Sequence, residues 1–187
     1  MTKYEKLLKS NKNILNIDDF MAIWQESDRR LVLESIKGYA KRGKLINLFK
    51  GLYSLKSEYN PFELGQKLFT PSYISYYTAL AYNGVIFQKY DDIHLFATNS
   101  KRITVNKNTY IYHKININIL LNAKGIVNID NFSIASPERS ICDSLYINKD
   151  VAFDNLNNID RNELISISKI YTKRVQNDVI NLVKNIV

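Results

Sequence analysis

The spacing of apolar residues changes twice along this chain, and the change limits what it can fold into. Up to about residue 90 most apolar side chains recur three and four residues apart. From Ile93 to about Phe132 they alternate with polar ones, and from Pro137 onward the wider spacing returns. A period near 3.6 turns one face of a helix to a core, and a period of two does the same for a strand. The pattern predicts an α+β protein, helical at both ends with strands between.

The first 60 residues predict three helices and a hairpin. Tyr4, Leu7 and Leu8 fall at i, i+3 and i+4. A helix from about Ile17 puts Phe20, Ile23 and Trp24 on one face. A longer one starts near Ser27 or Asp28, carries the stripe Val32, Ile36, Tyr39 and Ala40, and stops at Gly43. Residues 45–48 and 51–55 read as short strands turning around Phe49-Lys50-Gly51. The expected core here is Leu7, Phe20, Trp24, Val32, Ile36, Tyr39 and Tyr53.

Prolines punctuate the rest. Asn60-Pro61, Thr70-Pro71 and Ser136-Pro137 each place a side-chain oxygen before a residue that needs no donor, which is the arrangement of a helix start. Helices are expected near those three prolines, over residues 62–69, 73–83 and 137–147. Asp160-Arg161-Asn162-Glu163 resembles a capping box, and helices are expected over 161–171 and 175–186. Gly84 marks a stop. Residues 103–105, 110–113 and 126–129 are expected in a small antiparallel sheet. Ser57–Asn60 is the expected boundary between a domain of residues 1–60 and a mixed α/β domain of residues 61–187.

At 187 residues with 45% hydrophobic, the chain can bury a core in one domain or two small ones. A single cysteine, Cys142, excludes an internal disulfide and a cysteine zinc cluster. Only two histidines, His94 and His113, speak against a His-rich metal site. No apolar run approaches a membrane span, and Met1–Lys6 does not begin a signal peptide. A soluble, cytoplasmic protein without a membrane role is expected.

The net charge is +8. Isoleucine, asparagine, lysine and tyrosine share A/T-rich codons, so distribution is more informative than the total. Between Arg29 and Lys56 stand Arg29, Arg30, Lys37, Lys41, Arg42, Lys44, Lys50 and Lys56 against one acid, Glu34, while the chain beyond Lys56 is nearly balanced. Arg30, Glu34, Lys37 and Lys41 lie opposite the apolar stripe of the third helix. Three helices followed by a hairpin with a basic, glycine-containing tip is the order of a winged helix-turn-helix, whose last helix enters the major groove while the wing straddles phosphates. The expected DNA-binding residues are Arg29, Arg30, Lys37, Lys41, Arg42, Lys44 and Lys50. A winged helix that binds a protein partner and no DNA is the alternative.

Four stretches carry a resemblance. Lys50-Gly51-Leu52-Tyr53-Ser54-Leu55 is followed by Pro71-Ser72-Tyr73-Ile74-Ser75 and Ala79-Leu80-Ala81-Tyr82-Asn83-Gly84, and then by Ile134-Ala135-Ser136-Pro137-Glu138-Arg139-Ser140-Ile141-Cys142-Asp143. In this order they resemble the AbiEi antitoxins, regulators of type IV toxin–antitoxin and abortive-infection systems. The last piece is similar to that family's "peKAL-D" motif, with Arg139 where lysine is usual, Ser140 where alanine is usual and Ile141 where leucine is usual. Asn83 replaces a frequent histidine. The resemblance implies an N-terminal winged helix that represses its own operon from inverted repeats in promoter DNA, as a monomer or weak dimer that cooperates on DNA. It further implies a C-terminal domain that opposes a nucleotidyltransferase-like toxin.

Catalytic signatures are missing. There is no G-x-G-x-x-G, P-loop or H-E-x-x-H, so neither an enzyme nor a cofactor is expected. Asp91, Asp92 and His94 near a turn read as surface chemistry. Cys142, early in a helix, reads as a core thiol, and His113 as a packed strand residue. Ser136 is the expected N-cap with Glu138 behind it, and Arg139 and Asp143 the expected i,i+4 pair. Tyr73, Tyr76, Tyr77 and Tyr82, expected on one helix, are either core or a partner surface.

Overall fold

The computed structural model describes residues 1–147 and 151–184. The chain divides into two compact units, Met1–Leu68 and a second from Phe69 onward.

The first unit begins with α1 (Lys3–Lys9), capped by Thr2 and Glu5 in a reciprocal box. After β1 (Ile14–Leu15) comes α2 (Ile17–Trp24), capped the same way by Asn16 and Asp19. Asp28 caps α3 (Arg29–Lys41) by accepting from the Arg30 N–H. Gly43, at φ 69°, ends that helix in the left-handed conformation a side chain disfavours, and its N–H and that of Lys44 donate to the Ala40 and Tyr39 carbonyls. The hairpin is β2 (Ile46–Phe49) and β3 (Leu52–Ser54), and the sheet order is β1-β3-β2, antiparallel throughout. Leu7, Leu15, Phe20, Trp24, Val32, Ile36 and Leu45 form the buried cluster, with Tyr39 and Tyr53 packed against it. The expected core is present; Leu15 and Leu45 join it.

The unit boundary differs from the expected one. α4 (Pro61–Leu68) starts at its proline but belongs to the first unit. Leu64 is fully buried, the Ile14 N–H donates to Glu63 Oε1 at 3.3 Å, and Lys67 meets Asp19 at 3.1 Å. Those bonds carry the first unit eight residues past the Asn60 boundary.

The second unit holds one six-stranded sheet in the order β6-β7-β5-β4-β9-β8. Its strands are β4 (Ser72–Ile74), β5 (Ile93–Ala97), β6 (Lys101–Val105), β7 (Asn108–Lys114), β8 (Ile126–Ile129) and β9 (Phe132–Ala135). The hairpins β6–β7 and β8–β9 are antiparallel, but β5 runs parallel to β7 and β4 parallel to β9. The sheet is therefore mixed, not the antiparallel one expected. Pro71 does not start a helix: it leads into β4, whose Tyr73 and Ile74 are buried between Phe96 and Leu95 of β5 and Ile134 of β9. That non-local pairing outweighs the local start signal. α5 (Tyr76–Tyr82) follows, and Gly84 ends it at φ 69°.

The remaining helices are α6 (Ile117–Leu120), α7 (Pro137–Ile147), α8 (Arg161–Ser168) and α9 (Lys173–Lys184). α7 starts at its proline as expected. It packs on β9 and on α5, α8 and α9, and every residue from Glu138 to Leu145 is buried. The last expected turn of the final helix, at 185–186, lies outside the described residues. No described helix is long and apolar enough to cross a membrane.

Candidate nucleic-acid interface

Sequence periodicity orients α3. Val32 and Ile36 are fully buried, and Tyr39 and Ala40 half-buried on the same side. At about 100° per residue, Arg30, Glu34, Lys37 and Lys41 fall within about 60° of one another on the opposite side. All four are exposed, as are Arg29, Arg42, Lys44 and Lys50.

The seven expected cations divide into three groups. Arg29 meets Asp18 at 3.7 Å and Arg30 meets Asp28 at 3.6 Å, with both guanidinium groups largely in solvent. Pairs of that kind contribute little and leave the cation available. Lys37, Lys41 and Lys50 take part in no ion pair among the described residues. Lys50 stands beside Gly51 at the hairpin tip, where φ is 75°.

Arg42 and Lys44 form the third group, and periodicity did not place them. The Arg42 guanidinium lies 4.8 Å from the centre of the Tyr39 ring, and the Lys44 ammonium 4.7 Å from that of Tyr4. Tyr4 and Tyr39 stack at 5.7 Å. Behind them Trp24 lies 6.0 Å from Tyr39, donates its indole N–H to the Lys3 carbonyl and carries the Lys3 ammonium over its face. A cation over an aromatic face is held by the ring quadrupole while its outer side stays wet. The residues of this surface that the sequence did not single out are thus Tyr4 and Tyr39. Their apolar spacing marked them as core, and only the fold brings the two rings together beneath the cations.

The second unit places its chemistry inside. Arg139 and Asp143 form the expected i,i+4 pair, with Nε 3.5 Å from Oδ1 and both side chains fully buried. Arg139 donates to the carbonyls of Ile119, Lys124 and Asn122 and to the Tyr73 hydroxyl. Asp143 accepts from the hydroxyls of Tyr73, Ser75 and Tyr171, the last at 2.6 Å. Burial raises the Asp143 carboxyl above its ordinary value, with Arg139 and the three hydroxyls acting against the rise. Burial likewise pushes up the Cys142 thiol, which removes it as a nucleophile. Ser136 caps α7 by accepting from the Arg139 N–H.

His94 and His113 meet as a pair. His94 Nδ1 stands 2.8 Å from His113 Nε2, the ring planes are within 7° and the centres 5.2 Å apart. Near-coplanar rings with nitrogens so much closer than centres meet end to end, one N–H donating to the other ring's lone pair. Burial lowers His94 to about 4, with His113 adding to the effect, and lowers His113 as well. Tyr76 packs its edge on both rings and Tyr77 on His94. Asp92 is turned to Arg102 at 3.1 Å. No group of three or more His, Cys, Asp or Glu among the described residues could hold a metal ion.

Of the four tyrosines expected on one helix, Tyr76, Tyr77 and Tyr82 share α5 and Tyr73 does not. Tyr73 lies in β4 on the buried ion pair, Tyr76 and Tyr77 on the histidines, and Tyr82 in solvent. Tyr77 also stacks on Tyr90 beside a cavity of about 230 Å³ that Asp154 helps line. That is smaller than ordinary ligand pockets.

No family model matches the chain. No curated protein matches it. Among solved structures, the chain is similar to the crystal structure of RV2827C protein from Mycobacterium tuberculosis. They share 10% identity and a TM-score of 0.53, over 97% of this chain and 74% of that one. At such identity the likeness shows the fold alone: an α+β chain of helices with a mixed sheet.

Proposed function

We propose that the first unit is a winged helix that binds duplex DNA, with α3 in the major groove and the β2–β3 hairpin as the wing. The observation that carries this reading is the division of α3: Val32 and Ile36 fully buried, Arg30, Lys37 and Lys41 exposed on the opposite side. The element order, the sheet order β1-β3-β2 and the exposed Lys50 at the hairpin tip support it. Arg29, Arg42 and Lys44 flank the face and position it on phosphates, with Arg42 and Lys44 pre-ordered by Tyr39 and Tyr4.

On this reading the protein acts in the cytoplasm, without catalysis, as a repressor of its own promoter. Two copies cooperate on an inverted repeat. The resemblance to AbiEi antitoxins adds that the second unit opposes a nucleotidyltransferase-like toxin. A protein-binding winged helix is the competing reading, and the exposure of Leu31 and Leu33 beside the basic face favours it.

A gel shift with the full-length protein and its own upstream DNA tests the first claim. Wild type is expected to shift the fragment at physiological salt. The Lys37→Ala/Lys41→Ala/Lys50→Ala variant should lose the shift at that salt and, at lower salt where it still binds, show a slope smaller by about three. Equal affinity of the two proteins removes DNA binding through this face and leaves the protein-binding reading. Sequencing the flanking genes and co-expressing the protein with any nucleotidyltransferase-like toxin found there tests the second claim: restored growth supports it, and continued arrest or the lack of such a gene overturns it.

A further inference from the structure

We propose that Glu34 reads a base: its carboxylate accepts a hydrogen bond from the exocyclic amino group of a cytosine in the major groove. The proposal rests on the reading of α3 as a DNA-contacting helix and names the residue that gives it sequence preference.

Glu34 is out of place on its surface. Of the nine charged residues from Arg29 to Lys56 it alone is negative, and it sits among Arg30, Lys37 and Lys41 on the same side of α3. DNA presents about one negative charge per 1.7 Å of its axis, so a carboxylate there opposes binding to any phosphate backbone. The fold makes no use of it. Glu34 is exposed, lies beyond the first turn of α3, and does not cap the helix, a role taken by Asp28. Its spacing would suit a pair with Arg30 four residues back or Lys37 three residues on. Yet Arg30 is turned to Asp28, and no ion pair among the described residues includes Glu34.

What an ionised carboxylate can do in a groove is narrow, because it accepts and does not donate. The major groove offers two amino donors, cytosine N4 and adenine N6. Beside the adenine amino group stands the N7 acceptor, which repels a second carboxylate oxygen, so cytosine is the favoured base. The surrounding cations supply attraction to phosphates wherever the protein lands, and Glu34 penalises every register in which no amino group meets it. Affinity and discrimination then come from neighbouring side chains of opposite sign.

The experiment is a binding-site selection with full-length protein. Its probe is a pool of duplexes derived from the gene's own upstream region with each position varied. Wild type is expected to select cytosine at one position of each half-site, by about 5-fold to 150-fold over other bases. Glu34→Ala should lose that preference and bind non-specific duplex more tightly at the same salt. Glu34→Gln should move the preference to adenine, because an amide both donates and accepts. An unchanged thermal midpoint shows that the variants are folded. If Glu34→Ala keeps every base preference of wild type, the proposal is wrong and DNA binding stands. Wild type that binds duplex with no preference also overturns it. Wild type that binds no duplex at all overturns the DNA reading, and the role of Glu34 with it.

Discussion

Two of the arginines that precede an acid by four residues on a helix end in opposite environments. Arg30 and Glu34, on α3 of the first unit, are both exposed and do not pair. Arg139 and Asp143, on α7 of the second unit, pair with no exposed surface at all. The spacing permits a bond in both places; what surrounds the helix decides. α3 buries one side, so its charges face water and act on whatever approaches. α7 is covered by β9, α5, α8 and α9, so its charges face inward, where each offsets the other and carbonyls and hydroxyls supply the hydrogen bonds. A charged pair at helical spacing is therefore open to solvent on one helix and part of the core on the other.

Breaking the buried pair should have the largest effect. Asp143→Ala leaves Arg139 charged and uncompensated, and should cost the second unit about 3–5 kcal/mol. Urea unfolding can assign the loss, because the single tryptophan, Trp24, reports on the first unit while circular dichroism reports on both. A tryptophan transition that moves as far as the dichroism one would show that the two units do not respond separately.

Acid should act next, again on the second unit. The folded value of His94 is lowered to about 4 and that of His113 is lowered too. The unfolded chain therefore takes up protons first. The stability contributed by the neutral pair is fully present above about pH 6.5 and is lost as pH falls toward 4, by up to about 3 kcal/mol for His94. Unfolding at pH 7 and pH 4.5, compared between wild type and His94→Gln/His113→Gln, isolates this loss from that of the carboxylates. Equal acid sensitivity in both proteins would contradict it.

Smaller effects belong to the first unit. Tyr4→Leu removes the ring beneath Lys44 and the stack on Tyr39, and should cost about 1 kcal/mol. It should also weaken DNA binding in the gel shift, by less than the triple lysine variant does. Glu34→Ala should change stability by less than about 0.5 kcal/mol, as expected of an exposed side chain without a partner. Loss of several times that amount in thermal unfolding would mean that Glu34 holds α3 together, contrary to its surroundings.

The sequence was most legible where structure is local. Caps at Asp28 and Asp160, and the stripe of α3, follow from neighbours within a turn or two, and the stripe put the cations of α3 on its exposed side. It was least legible where distant segments decide. β1 has two residues and exists only because β3 lies beside it. Pro71 carried a helix-start signal, yet Ser72–Ile74 pairs with residues more than 20 positions away. The i,i+4 spacing of Arg139 and Asp143 was visible, but not their burial, because Tyr73 and Tyr171 arrive from 70 and 28 residues away. At the candidate interface, exposure of the cations was readable, whereas the tyrosine platform under Arg42 and Lys44 was not.

The buried set of Arg139, Asp143, Tyr73, Ser75 and Tyr171 also bears on how such a chain can diverge. Remove one member and a polar group is stranded in the core; replace all five together with apolar side chains of similar volume, and give the Ile119, Asn122 and Lys124 carbonyls new donors, and the unit can be as stable or more so. Those two endpoints are separated by sequences that fold worse than either. Lineages that inherit this unit can reshape the outward side of α3 one residue at a time, while the centre of the second unit changes as a block or stays as it is.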